Sequence, residues 1–172
     1  MPKRRSFLAV LAAACSAPLG LWGQQVHAGD NKLKMTQQDW LKRISKDQYH
    51  ILFEEGTERA RTSPLNDEKR AGHFICAACN QVLFSSDKKY DSGTGWPSFF
   101  DVIAGAVAFK VDYKLIYPRT EYHCSNCGGH QGHVFDDGPP PTGKRYCNNG
   151  LALRFIAQGE EKPAIFRGGN SS

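Results

Sequence analysis

The sequence predicts a mainly β fold, with two antiparallel sheets packed as a sandwich or open barrel behind short N-terminal helices. Apolar and polar residues alternate over Val107–Tyr117, and other short runs of β-branched and aromatic residues are bounded by Gly- and Pro-rich turns. Two Cys-x-x-C pairs also sit where each would close a hairpin. The 172 residues suit one domain with a short N-terminal addition.

That addition is a leader. Lys3, Arg4 and Arg5 precede an apolar, Ala-rich run ending at Leu21, and Val26-His27-Ala28 is a small-residue cleavage site. Residues 1–28 are therefore expected to be an export signal cut after Ala28. Arg4-Arg5, then Ser6, Phe7 and Leu8, is similar to a twin-arginine signal, which exports chains already folded and implies a periplasmic or otherwise exported protein. An ordinary secretory n-region and a lipoprotein box ending at Cys15 are the alternatives. The first 28 residues carry three cations and no acid, so the formal charge of +5 falls to +2 without them. A near-neutral surface argues against nucleic acid as a partner, and loss of the leader against stable membrane association. Residues 29–158 form the folded domain and residues 159–172 a frayed tail.

In chain order, Thr36 caps a short amphipathic helix, with Asp39 in its first turn and Trp40, Leu41 and Ile44 on its packing face. Glu54–Arg70 is charged and rich in turn residues, hence a surface loop. His73-Phe74-Ile75 leads into the first cysteine pair and Val82-Leu83-Phe84 leads out. In the alternation that follows, Val107, Phe109, Val111, Tyr113, Leu115 and Tyr117 face the core, while Ala108, Lys110, Asp112 and Lys114 face water. The last long strand is read as continuous from Arg145 to Phe155, so that Arg145, Cys147, Asn149, Leu151, Leu153 and Phe155 share a face.

Cys76, Cys79, Cys124 and Cys127 form two knuckles suited to tetrahedral thiolate ligation of one zinc ion, with two disulfides or redox motifs as alternatives. Cys147 is then the one cysteine left outside the leader. It is either a half-buried structural thiol or a nucleophile favoured by Arg145. Two loops suit a site around it. Asp91–Phe99 offers a rigid Trp96-Pro97 surface, and Gly128–Asp137 carries His130 and His133, whose imidazoles suit acid–base work.

Gly95-Trp96-Pro97-Ser98-Phe99, the two knuckles, the stretch from Gly128 to Phe135 and Arg145-Tyr146-Cys147-Asn148-Asn149 stand in an order that resembles the B-type methionine-R-sulfoxide reductases. The match covers Trp40 to Ile156. It implies a tent-like pair of sheets, structural zinc remote from the thiol, and attack by Cys147 on the sulfur of an R-configured methionine sulfoxide, free or protein-bound. It also implies Trp96 as the wall against the substrate methyl group and Phe135 as a further pocket wall. His130, His133 and Asn149 are implied to handle the sulfoxide oxygen, Arg145 to favour the thiolate and Asp137 to orient the cluster. Thr94 stands where many members carry a second, resolving cysteine, which implies regeneration by an external thiol, such as a thioredoxin-fold partner. A zinc-ribbon interaction module is the competing class; it leaves Cys147, His130 and His133 without a purpose.

Overall fold

The computed structural model describes residues 33–168. The expected export signal, with Arg4-Arg5, Cys15 and the expected cut after Ala28, lies outside the described residues, as do residues 169–172. Thr36 caps helix α1 (Gln37–Leu41), its hydroxyl accepting from the Asp39 amide at 3.2 Å. Helix α2 (Lys46–Phe53), a second of the expected N-terminal helices, starts with a full capping box: the Gln48 amide donates to the Ser45 hydroxyl, and the Ser45 amide to the Gln48 side chain. The helices pack through Trp40, whose ring stacks on Phe53 at 4.7 Å.

Among the described residues nine antiparallel strands follow, in two sheets. Three of them, β1 (Gly72–Cys76), β2 (Val82–Ser85) and β9 (Leu153–Ala157), make a sheet of order β2-β1-β9. The other six are β3 (Lys89–Tyr90), β4 (Ser98–Phe99), β5 (Val107–Asp112), β6 (Arg119–Cys124), β7 (His130–Phe135) and β8 (Arg145–Asn148), in the order β3-β4-β8-β7-β6-β5. An aromatic seam joins the sheets. Phe84 stacks on Phe99 at 4.0 Å, Phe74 meets Phe99 edge-on at 5.0 Å, and Phe84 meets Tyr122 and Tyr146 edge-on, each at 6.2 Å. The expected class, mainly β with two antiparallel sheets, is the class observed.

Three local expectations fail, each for a physical reason. The alternation over Val107–Tyr117 does not bury one face. Phe109 and Val111 are more than half exposed, and Tyr113, Leu115 and Tyr117 lie in the loop after β5. A three-stranded sheet cannot cover a six-stranded one, and β5 is the outer edge of the larger. The strand expected from Arg145 to Phe155 breaks at a 3-10 turn, Gly150–Ala152, where the chain passes from one sheet to the other. The Gly150 and Leu151 amides donate instead to the buried Glu58 carboxylate at 2.5 and 3.0 Å. The tail is pinned rather than frayed as far as Gly168. The Phe166 amide donates to the Cys79 carbonyl at 2.8 Å, and the Phe166 ring lies under the Arg43 guanidinium at 3.8 Å.

Between β7 and β8 the backbones meet at Gly132, opposite Asn148; a Cβ there would lie 1.9 Å from the Cys147 carbonyl oxygen. Gly132→Ala is expected to cost about 1–3 kcal/mol by forcing these strands apart, read as a lowered midpoint in urea unfolding with an unchanged slope.

Candidate active site

A cavity of about 140 Å³ opens on the face of the larger sheet away from the aromatic seam. Its wall includes Cys147, His133, Asn149, Trp96 and Phe135, together with Thr57, Arg119 and Gly132. Cys147 is the register partner of Ser98 on one side and of His133 on the other, so the thiol and the imidazole start from directly opposed backbone positions. Phe135 is opposite Arg145 two residues along, and the guanidinium lies over its ring at 4.3 Å.

The loop at 57–58 builds the rest of the wall. Glu58 donates its amide to Asn149 Oδ1 at 3.0 Å, while its carbonyl accepts from Trp96 Nε1 at 3.1 Å. Asn149 is fixed a second time through the Gln131 carbonyl, which accepts from the Asn149 amide at 2.8 Å and from Nδ2 at 3.1 Å. Trp96 enters after Gly95, which has φ +90° and whose carbonyl accepts from the Arg61 amide at 2.7 Å. Behind Trp96 lies a larger hollow of about 360 Å³, polar and charged, with Arg61, Asp67, Lys89 and Asp91 on its walls.

Burial pushes the Cys147 thiol above the ordinary cysteine range. The charge of Arg145 and hydrogen bonds from Thr94 and Arg145 work against that rise, and Asp137 adds to it. Arg145 is itself held by Asp137 in a two-point ion pair of 2.7 and 2.8 Å. Thr94 belongs to a chain of hydroxyls, 2.8 Å from Ser92 Oγ, which is 2.7 Å from Ser98 Oγ.

His133 is gripped through Nε2 by Asp112 Oδ2 at 2.7 Å, and the same carboxylate pairs with Arg119 Nη2 at 2.6 Å. Burial pushes the His133 pKa down, and the hydrogen bond to Asp112 opposes that fall. The Asp112 carboxyl is held well below the usual carboxylate range, first by the Lys114 amide and then by His133 and Arg119. His130 is placed elsewhere. It lies behind His133, ring centroids 5.6 Å apart, with Nδ1 3.0 Å from the buried Glu121 carboxylate, and it lines a separate hollow with Lys110 and Glu55. Both rings lie on one side because Gln131 is an extra residue in β7, the register passing from Tyr122–Gly132 to His123–His130.

Asp112, Arg119, Thr57 and Glu58 were missed from the sequence. Asp112 carried a signal, a carboxylate on the polar side of an alternating strand, but it was read as solvated. Nothing near Glu58 distinguishes it from the other acids of its loop.

Cys76, Cys79, Cys124 and Cys127 come together in the core, all four sulfurs within 4.8 Å of one another, and could hold a metal ion. The pairs Cys76–Cys127 and Cys79–Cys124 lie at 3.7 and 3.5 Å, far beyond the ~2.05 Å of a disulfide. Two donors already aim at the cluster, the Gly129 amide at Cys127 Sγ (3.4 Å) and Gln131 Nε2 at Cys76 Sγ (3.6 Å).

Residues 44–157 match the SelR domain family. The chain is 49% identical over 131 residues to the peptide methionine sulfoxide reductase MsrB of Methanosarcina barkeri, covering 76% of this chain and 92% of that one. It is 50% identical over 125 residues to the protein of the same name from Agrobacterium fabrum (72% and 93% covered), and 51% identical over 121 residues to that from Thiobacillus denitrificans (70% and 92% covered).

The opposing influences on Cys147 make a test. Its alkylation by iodoacetamide is expected to rise with pH to a midpoint above the ~8.5 of a free cysteine. Arg145→Gln, by removing the cation and leaving Asp137, moves that midpoint higher still.

Proposed function

We propose, for a chain that belongs to the SelR domain family, the reduction of methionine-R-sulfoxide to methionine by Cys147, the repair of an oxidised side chain. The observation that carries this is the placing of Cys147 opposite His133, at the base of a cavity walled by Trp96 and Phe135. Sulfoxide sulfur is a poor electrophile until its oxygen is hydrogen-bonded or protonated, so nucleophile and donor have to converge on adjacent atoms. Trp96 and Phe135 take the apolar methyl end, and Asn149 and His133 meet the oxygen. His130 acts behind His133, not on the oxygen, because it is not on the cavity wall.

In the reaction the Cys147 thiolate attacks the sulfoxide sulfur and the oxygen passes to the cysteine sulfur. Methionine leaves and Cys147 becomes a sulfenic acid. Arg145 supplies the charge that favours the thiolate, and Asp137 holds Arg145 in place. Thr94 offers a hydroxyl and no second sulfur. The sulfenic acid is then reduced by two equivalents of an external thiol, released as its disulfide with one water; a thioredoxin-like protein supplies such thiols. Cys76, Cys79, Cys124 and Cys127 would hold one zinc ion per chain, four buried sulfurs within 4.8 Å of one another being a donor set suited to it. Bound there, it would supply structural cross-linking, not chemistry at Cys147. Residues 29–158 are the catalytic unit, and the leader of residues 1–28 directs it to the periplasm by the twin-arginine route.

The purified chain with dithiothreitol is expected to consume the R epimer of N-acetyl-methionine sulfoxide and leave the S epimer, and Cys147→Ser to abolish turnover, by chiral chromatography of the residual substrate. Equal loss of both epimers, or activity in the variant, overturns the proposal.

A further inference from the structure

The loop between β5 and β6 spans residues 113–118. Asp112 and Arg119 are the register pair that closes residues 113–118, and the same two side chains brace His133, Arg119 forming part of the cavity wall. The residue on which the loop ends, Arg119, is therefore itself part of the cavity wall around Cys147. Its apolar side chains are out in solvent: Tyr113 is 76% exposed, Leu115 58%, Ile116 95% and Tyr117 79%. Single exposed apolar residues are ordinary, but four within five positions are not. The polar groups of the loop are meanwhile spent on the protein. The Lys114 amide donates to Asp112 Oδ1 at 2.8 Å and its ammonium pairs with Glu55 at 2.5 Å. The loop is thus held at Lys114 while its apolar side chains stay exposed.

The size of the cavity says what would lie there. At about 140 Å³ it has room for one side chain, well below the ~300–1,000 Å³ of sites that enclose a whole small ligand. A polypeptide whose methionine sulfoxide enters must lay its flanking residues across the rim. On the Trp96 side that rim borders the hollow of Arg61, Asp67, Lys89 and Asp91; elsewhere it includes Arg119, the residue on which the apolar loop closes.

We propose that residues 113–118 form a docking surface for the apolar residues flanking methionine sulfoxide in an unfolded polypeptide, and that this chain therefore prefers protein-bound sulfoxide with apolar neighbours. This rests on the reading of the Cys147 cavity as the sulfoxide site. An unfolded segment of a damaged core supplies such neighbours, and burying them against the loop lowers KM without touching the chemistry.

Three substrates test it: N-acetyl-methionine-R-sulfoxide amide, a nonapeptide with the sulfoxide between leucine and phenylalanine, and the same peptide with serine and glycine there. The unaltered chain is expected to show about tenfold higher kcat/KM on the apolar peptide than on the polar one, mainly through KM. The triple variant Leu115→Ser, Ile116→Ser, Tyr117→Ser should lose that preference and keep its value on the small amide within about twofold. Ile116→Ser alone should act in the same direction. No preference in the unaltered chain, a preference surviving in the triple variant, or an equal loss on the small amide each overturns the docking surface. Failure of the unaltered chain to reduce the small amide overturns the cavity reading itself.

Discussion

One buried carboxylate holds the place where the two sheets exchange the chain. Glu58 accepts the Gly150 and Leu151 amides, which would otherwise stand unpaired where β8 gives way to β9. Hydrogen bonds to a charged acceptor are worth about 1.5–3 kcal/mol each, and a buried amide left without a partner costs a similar amount. From the same residue, the backbone amide fixes Asn149 and the carbonyl fixes the Trp96 indole. Two walls of the cavity and the crossover between the sheets thus share one anchor.

Around that anchor the molecule separates stiffness from reactivity. The cysteine quartet joins the knuckle after β1 in one sheet to the knuckle after β6 in the other, and the Phe166 segment lies against it. Cys147 stands apart in β8, with Arg145 and Asp137 on its own face and His133 across the strand. Asp112 at the end of the edge strand determines which way the His133 ring points, and so links the site to the loop that leaves from the same residue.

Much of this was legible in the sequence, because short motifs carry local geometry. Two Cys-x-x-C knuckles announce a shared point whatever the fold between them, and the Thr36 cap announces its helix. Cys147, His133, Asn149, Trp96 and Phe135 come from three separated stretches, and family resemblance rather than periodicity brought them together. What was not legible depended on coverage and on distant contacts. The β5 alternation looked like a buried face, since nothing local to Phe109 or Val111 reveals that the opposing sheet ends before it reaches them. The break at Gly150 is imposed by an acid 92 residues away in the chain. His130 and His133 come together through a single bulged residue, Gln131, whose sequence carries no mark of the bulge.

The central claim is that Glu58 sets the site as well as the crossover, and Glu58→Gln addresses it directly. The substitution keeps shape and volume but turns one of the two acceptors into an amino group facing a backbone amide. Steady-state kinetics on the R-sulfoxide substrate should show kcat/KM reduced by about 10²-fold, the scale of a misplacement near 1 Å in a reacting pair. A variant with unaltered kcat/KM would show that Asn149 and Trp96 are held without Glu58, contradicting the claim.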